Sequence, residues 1–521
     1  MSTINSIRIR NLRSFGNNSK FIPINDINVY VGKNSSGKST FARLFPLLRQ
    51  SIEEKTKGPI LWYGNYVDFG DFKSAVNINN KAEEIYFDFN IEIHNQHESY
   101  REFTTSSGLI VFKQSKFHSD AMISIGVKNE QNKSSASSVF ISIENSKLNI
   151  NLQGDKITRL IASNANLNLV EEFSCEYGLY PGSILPNLYH NTNDLASRFS
   201  NTYMPEEVKA SLCKYIMQFH HKNKQSDSVM DIINRMSLMS RKSCYEFFKK
   251  EFSSNKQFIK NIKGKEEEFT ETVHLHNIAC HVQHIVKMSN NVLADFFSGV
   301  RYMGPIRAAA ERYYRYQDLQ IDEIDHLGSN LPMILSSLSK NQKNKLTKWT
   351  KDNFGFSLDI SESGSHYAIK IKEEDSQDYF NISDMGFGYS QILPIVVSVW
   401  LERENQNSTS RKVRRNSNKN SLIVIEQPEL HLHPMLQYKF ARAIANLSSM
   451  LGDKSIRFIF ETHSNHIIDG LGDSISEGKI SSDNITITLF SKDLQGTTIT
   501  ESSGFDSEGY LTNWPAGFLS A

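Results

Sequence analysis

The sequence predicts an α/β fold whose core is split in two pieces around an inserted region of mixed strand and helical character. Three observations carry this reading. An apolar strand at 27–31 runs through a glycine-rich turn straight into a helical start at 39–50. Far downstream, apolar strands at 422–425 and 458–460 end on polar, chemistry-bearing residues. Between these pieces the pattern changes first to short alternating strands and then to helices.

The elements follow in order. Residues 1–92 form the first piece, with strand-like alternation at 6–11, 22–31 and 84–93. Residues 93–204 continue with strand-like runs at 109–112, 122–127, 139–144 and 148–152, separated by Ser, Asn and Lys turns. Helical spacing then dominates 205–297, as in Val229, Ile232, Ile233, Met236 and Met239. No heptad run there is long enough for a coiled-coil arm. From 298 to 521 the strand–helix alternation resumes and completes the core. Within it an apolar helix at 392–401 leads into 402–421, a polar, basic stretch that reads as a mobile surface loop.

Hydrophobic residues make up 39% and charged residues 22%, which places the chain among globular proteins. Lys and Arg number 58 against 57 Asp and Glu, so any nucleic-acid contact needs a local basic patch. Cys175, Cys213, Cys244 and Cys280 show no paired spacing, which argues against a disulfide framework and fits a reducing cytoplasm. The first fifteen residues hold no apolar signal core. No apolar run reaches the roughly eighteen residues a membrane span needs, so a membrane role is not expected.

The glycine-rich turn is Gly32-Lys33-Asn34-Ser35-Ser36-Gly37-Lys38-Ser39, followed by Thr40. It matches the phosphate-loop pattern in its proper strand-to-helix setting. Its glycines let backbone N–H groups face phosphate, Lys38 reaches the β- and γ-phosphates of ATP, and the Ser39 hydroxyl coordinates Mg2+. The strand 422–425 delivers Glu426 at its end, where an acid holds the same metal. Gln427, Pro428 and Glu429 come next. Upstream, Gly386, Gly388 and Ser390 open the apolar helix, and such a start builds an anion site from N–H groups and the helix dipole. The strand 458–460 is followed by Glu461, Thr462, His463 and Ser464, and His463 is placed to sense a γ-phosphate and orient water.

Together, GKNSSGKST, SDMGFGYSQILP, IEQPELHLHP and ETHS resemble the OLD-type and related ABC-class AAA ATPases of bacteria. YMGPIR at 302–307 and NWPAGF at 513–518 support the likeness, which covers about 1–92 and 298–521. It implies an ABC-type P-loop ATPase head of two lobes, with two heads closing on two ATP molecules as a homodimer or higher oligomer. Gly386 to Ser390 then act in trans, and 429–434 lie at the dimer seam. Such strands usually end Asp-Glu-Pro, whereas here the order is Glu426-Gln427-Pro428-Glu429. A glutamine orients water but cannot take its proton, so Gln427 in that slot implies slow turnover or a different base, and Glu429 is the expected base over Gln427. Fewer than sixty residues follow His463, too few for the Toprim nuclease domain many OLD-type proteins carry, so no nuclease is expected in this chain. Heads of this kind resemble the ATPase subunits of anti-phage defence systems, such as the PtuA subunit of Septu, which works with a separate HNH nuclease.

The resulting expectation is an ATP-binding and ATP-hydrolysing switch that senses a trigger and controls a separate effector. The alternative is a RecF-like DNA-repair clamp acting directly on DNA, and a third reading hides a nuclease in 94–297, where Glu171-Glu172 and Glu206-Glu207 are acidic pairs. Arg411, Lys412, Arg414 and Arg415 can hold DNA or RNA phosphates nonspecifically, although a solvated loop has the same composition. His274, His276, Cys280, His281 and His284 meet no usual zinc pattern and read as a His-rich surface helix. Phe15 reads as packing, with Arg13 near the nucleotide.

Overall fold

The computed structural model describes residues 3–77, 83–94, 100–105, 108–113, 117–130, 133–154, 156–164, 166–173, 177–180, 183–190, 204–315, 323–363, 366–407, 421–450 and 456–515. Cys175, the basic cluster Arg411 to Arg415 and the last three residues of NWPAGF lie outside them. The chain divides into two compact units: Met1–Arg13, Ser51–Tyr63 and Phe69–Ala294, and Ser14–Gln50, Gly64–Asp68 and Asp295–Ala521.

The first unit is built on an antiparallel sheet. Its strands neighbour one another in the order Asn187–His190, Tyr177–Tyr180, Lys156–Asn164, Ser146–Gln153, Lys133–Ile143, His118–Glu130, Glu84–His94 and Ile4–Arg10. Period-two alternation explains the buried face, since Ile85, Phe87, Phe89, Ile91 and Ile93 are all fully buried. The helices of the unit pack through a cluster of phenylalanines: Phe219, Phe248, Phe252, Phe258 and Phe269.

One sequence expectation fails in this unit. The helix Glu266–Cys280 is no surface helix, because every residue from Phe269 to Cys280 is buried. Its polar groups tolerate burial because partners distant in the chain satisfy them. Glu271 accepts from Asn164 at 2.6 Å, Asn145 at 3.0 Å and Arg241 at 2.8 Å. His274 meets the Ser146 hydroxyl at 3.0 Å, and His276 lies 3.0 Å from Glu171. Burial pushes His274 down to about 4. Glu171 is thereby occupied with Ser211 and His276, and Glu172 pairs with Arg159.

The second unit carries the expected α/β core. Five parallel strands run Val300–Met303, Ser421–Glu426, Ile456–Glu461, Ile27–Gly32 and Ile485–Lys492, and Thr498–Phe505 and Leu511–Thr512 extend the sheet antiparallel. Two of these strands, Ile27–Gly32 and Ser421–Glu426, are buried at every position, the near-continuous apolar pattern of a sheet covered on both faces. The strand from the start of the chain thus lies between two strands from its end. The helix Phe387–Asn407 is buried at every residue from Ser390 to Trp400. It also runs six residues beyond the expected stop at 401. Glu402 explains the extension: it is buried, pairs with Arg301 at 2.8 Å and accepts from Ser421 at 2.7 Å.

Candidate functional site

The phosphate loop leaves the buried strand Ile27–Gly32 and enters the helix Lys38–Ala42. Its two glycines are required by close approach. A Cβ on Gly32 would sit 2.2 Å from the Phe490 carbonyl oxygen, and one on Gly37, at φ +109°, 2.6 Å from Thr498 Oγ1. The Thr498 hydroxyl donates to the Ser36 carbonyl at 2.9 Å and braces the turn. Lys33, Asn34 and Ser35 are exposed at its crest, whereas Ser36, Lys38 and Thr40 are buried. The Lys38 ammonium points back on its own loop, donating to Gly32 O at 2.8 Å and Lys33 O at 3.0 Å. Burial holds it below the usual lysine range, against the pull of Glu461 and Glu429. Phe15 is buried with its ring 6.1 Å from that of Phe41, so it packs under the loop helix.

Parallel register brings the acids together. Glu426 pairs in register with Glu461, and Glu461 with Tyr30 two residues before Gly32. Glu426 is only 2% exposed and accepts a bidentate guanidinium from Arg43, at 2.7 and 2.8 Å, plus the Tyr302 hydroxyl at 2.7 Å. Glu461, 3% exposed, accepts from Ser39 Oγ at 2.9 Å and lies 3.8 Å from Lys38 Nζ. Its other oxygen, Oε2, is buried without a partner. Burial and the Glu426 charge push Glu461 up to about 7.

Past the acidic strand the chain reverses at Gln427, at φ +45°, whose N–H donates to the Glu461 carbonyl at 2.8 Å. Glu429 accepts from Thr462 Oγ1 at 2.9 Å and from the His463 N–H at 2.7 Å. Both of its oxygens therefore hold the turn that carries His463. Burial raises Glu429, and these bonds and Arg307 oppose the rise. His463 Nε2 is buried without a partner, and burial and then Lys38 hold its ring below the usual range. Arg307 is buried, donates from Nη2 to the Glu426 carbonyl at 3.0 Å, and leaves Nε and Nη1 unpartnered. Burial pushes it down to about 10.

The glycines of 386–388 open the helix Phe387–Asn407. Gly386 is exposed at φ +81° with open space where a side chain would be, while a Cβ on Gly388 would meet the His431 carbonyl at 2.7 Å. Ser390 Oγ donates to the Phe387 carbonyl at 2.7 Å, and the Phe387 ring lies edge-on to His431 at 4.9 Å. In a single chain this turn is gathered around His431. The Gln391 side chain bonds both N–H and C=O of Arg307, at 3.1 and 3.2 Å, tying the same helix to the acidic strand.

The structure thus brings Lys38, Ser39, Glu426, Gln427, Glu429 and His463 to one end of one parallel sheet. Sequence reasoning gave no role to Glu461, Arg43, Tyr302 or Arg307. Glu461 is an acid ending an apolar strand, a signal readable in the chain; Arg43 stands four residues after Ser39, hence on the same helix face, but only the strand order gives it Glu426 as a partner. The residues fit a nucleotide with its divalent cation. The loop leaves no room for side chains at its glycines, the acids and Ser39 are oxygen donors, and the unpartnered Glu461 oxygen, His463 nitrogen and Arg307 N–H groups are the complement of a charged ligand.

A family model described as an AAA ATPase domain matches residues 3–468. The endonuclease GajA of Bacillus cereus (strain HuB5-5) is 28% identical over 179 residues, covering 30% of this chain and 24% of that protein. The chain therefore spans about a quarter of that relative's length. Among solved structures, an Smc head domain with an extended coiled coil bound to the C-terminal domain of ScpA, from Pyrococcus furiosus, aligns with a TM-score of 0.36 and 10% identity over 96% of each chain. The SMC head domain from Thermotoga maritima aligns at 0.34 and 8% identity, covering 96% of this chain and 98% of its own. No helix among the described residues is long and apolar enough to cross a membrane.

Proposed function

The chain belongs to the AAA ATPase domain family, and from that premise we propose an ATP-binding, slowly hydrolysing switch that controls a separate effector, such as a nuclease, in bacterial anti-phage defence. One observation carries the switch reading. The acid expected to hold metal, Glu426, is engaged by Arg43 through two hydrogen bonds, and Lys38 is folded onto its own loop. Both groups must change partners for a nucleotide to bind. A ligand that prefers the rearranged state shifts the population toward it, which is what a switch requires.

In this reading Lys38 leaves the Gly32 and Lys33 carbonyls for phosphate oxygens, and the loop N–H groups cradle the remaining charge. Ser39 and Glu426 hold Mg2+, which when bound neutralises charge on the phosphates. His463, with Nε2 free, orients the attacking water. Glu429 holds the His463 turn, so its first role is positioning; Gln427, lacking a carboxylate, orients water without taking its proton. Gly386, Gly388 and Ser390 meet the nucleotide of a second head, which makes the homodimer the acting form. Support for the defence role is the resemblance of the motifs and the partial match to a protein named an endonuclease.

Isothermal titration with MgATP, followed by sizing of the liganded protein and of whatever co-purifies with it, tests the proposal. Binding and ATP-dependent pairing in the unaltered chain, both lost in a folded Lys38→Ala protein, are expected. A folded Lys38→Ala chain that keeps biological activity sinks the switch. DNA binding gained only with ATP, and no protein partner, would replace it with a clamp acting on DNA.

A further inference from the structure

We propose that Glu461 is a second metal-binding carboxylate, sharing with Glu426 and Ser39 the divalent cation that accompanies the nucleotide. The inference rests on the ATP-switch reading above and assigns a residue which that reading does not use.

Geometry leads to it. Glu461 and Glu426 end neighbouring parallel strands in direct register, and the two carboxylates are 3% and 2% exposed. Two buried anions side by side need compensation. Glu426 has it, from the Arg43 guanidinium and the Tyr302 hydroxyl. Glu461 has one hydroxyl bond, from Ser39, and an ammonium no nearer than 3.8 Å. Its Oε2 is buried with no donor at all. A buried carboxylate oxygen without a partner is costly, and a fold that keeps one beside a phosphate loop keeps a place for positive charge.

The donor set gives the class of ligand. Hard divalent cations take oxygen ligands, and Ser39 Oγ and the two carboxylates supply them. The Ser39 hydroxyl already touches Glu461 Oε1 at 2.9 Å, so hydroxyl and carboxylate face the same point. Neither neighbouring candidate competes for this role. Glu429 has both oxygens committed to Thr462 and His463, and Gln427 is not an acid. If Glu461 served only as an acceptor for Ser39, a glutamine would do the same work.

That difference is the test. Binding of a fluorescent non-hydrolysable ATP analogue is measured with Mg2+ and with EDTA, and Mn2+ is titrated in the presence of the same analogue by electron paramagnetic resonance. In Glu461→Gln, affinity in EDTA is expected to stay within about twofold of the unaltered protein, while Mn2+ affinity and the Mg2+ gain each fall by at least about tenfold. Glu461→Asp, which keeps the charge but shortens the reach, is expected to fall between the two. Thermal melts of both variants establish that they are folded. A folded Glu461→Gln protein with unaltered Mn2+ affinity overturns the inference alone. An unaltered chain that binds no nucleotide overturns the switch reading, and this inference with it.

Discussion

Replacing Arg43 by Ala removes both guanidinium hydrogen bonds from Glu426, at 2.7 and 2.8 Å, and leaves a nearly buried carboxylate with the Tyr302 hydroxyl as its remaining side-chain donor. Breaking one side of a buried ion pair costs about 3–5 kcal/mol. Two features reduce this. The Arg43 side chain is 32% exposed, so water screens part of the pair, and Tyr302 stays in place. The expected loss is therefore about 1–3 kcal/mol, or a fall of roughly 1–5 °C in the melting temperature of the unliganded protein. A divalent cation can replace the lost charge on Glu426. Saturating Mg2+ and a non-hydrolysable ATP analogue should therefore narrow the gap between variant and unaltered protein. Differential scanning calorimetry of both proteins, with and without ligand, reads the four midpoints. Equal midpoints without ligand, or a gap that persists undiminished with it, would refute the idea that Arg43 stands in for the metal.

Further outcomes follow from the same site. Glu461 stands near 7 in the fold against an ordinary 4.5, so between those values the folded chain holds a proton that the unfolded chain has released. Stability of the unliganded protein should then fall as pH rises from about 4.5 to 7, with Glu461→Gln flattening that slope in urea titrations; identical slopes would contradict it. Gly37→Ala places a Cβ 2.6 Å from Thr498 Oγ1 at φ +109°, which should cost about 1–3 kcal/mol and weaken nucleotide binding. Unaltered denaturation and titration curves for that variant would count against the loop geometry. Glu429→Ala strips the acceptor from Thr462 and the His463 N–H and should lower stability by about 1–3 kcal/mol along with turnover. A full-strength melt with turnover abolished would instead make Glu429 the base.

What the sequence shows depends on how far apart the interacting residues lie. The phosphate loop is a contiguous strand, turn and helix, so its pattern alone places it. Glu426 was equally visible, because an apolar run ending in an acid is a local signal. The partners of that acid were not. Arg43 and Tyr302 reach Glu426 only through strand order and register, and no spacing in the chain encodes which strand becomes the neighbour of which. Glu461 was in plain view after Phe460, yet only its register with Glu426 gives it meaning. The helix Glu266–Cys280 failed in the opposite direction. Its histidines and glutamates look solvated until Asn145, Asn164, Arg241 and Ser146 arrive from elsewhere to satisfy them. Glu402 misled in the same way, since a charged residue after an apolar helix reads as its end, and here Arg301 carries the helix onward.

The position of the strand Ile27–Gly32, between Ile456–Glu461 and Ile485–Lys492, also fixes when the site can exist. A ribosome adding roughly 5–20 residues per second needs on the order of 20–80 s between making the phosphate loop and making its first neighbour. From Glu84–His94 onward the antiparallel sheet of the other unit can pair strand by strand during that time, whereas Ile4–Arg10 waits for Glu84–His94. The phosphate loop waits, with both edges of its strand unpaired. A nascent chain halted between residues 40 and 485 carries the whole motif and still lacks the strand Ile485–Lys492, whose Phe490 carbonyl closes on Gly32. The loop's final geometry, with Gly32 packed on Phe490 and Ser36 braced by Thr498, is therefore completed only once synthesis has passed residue 498.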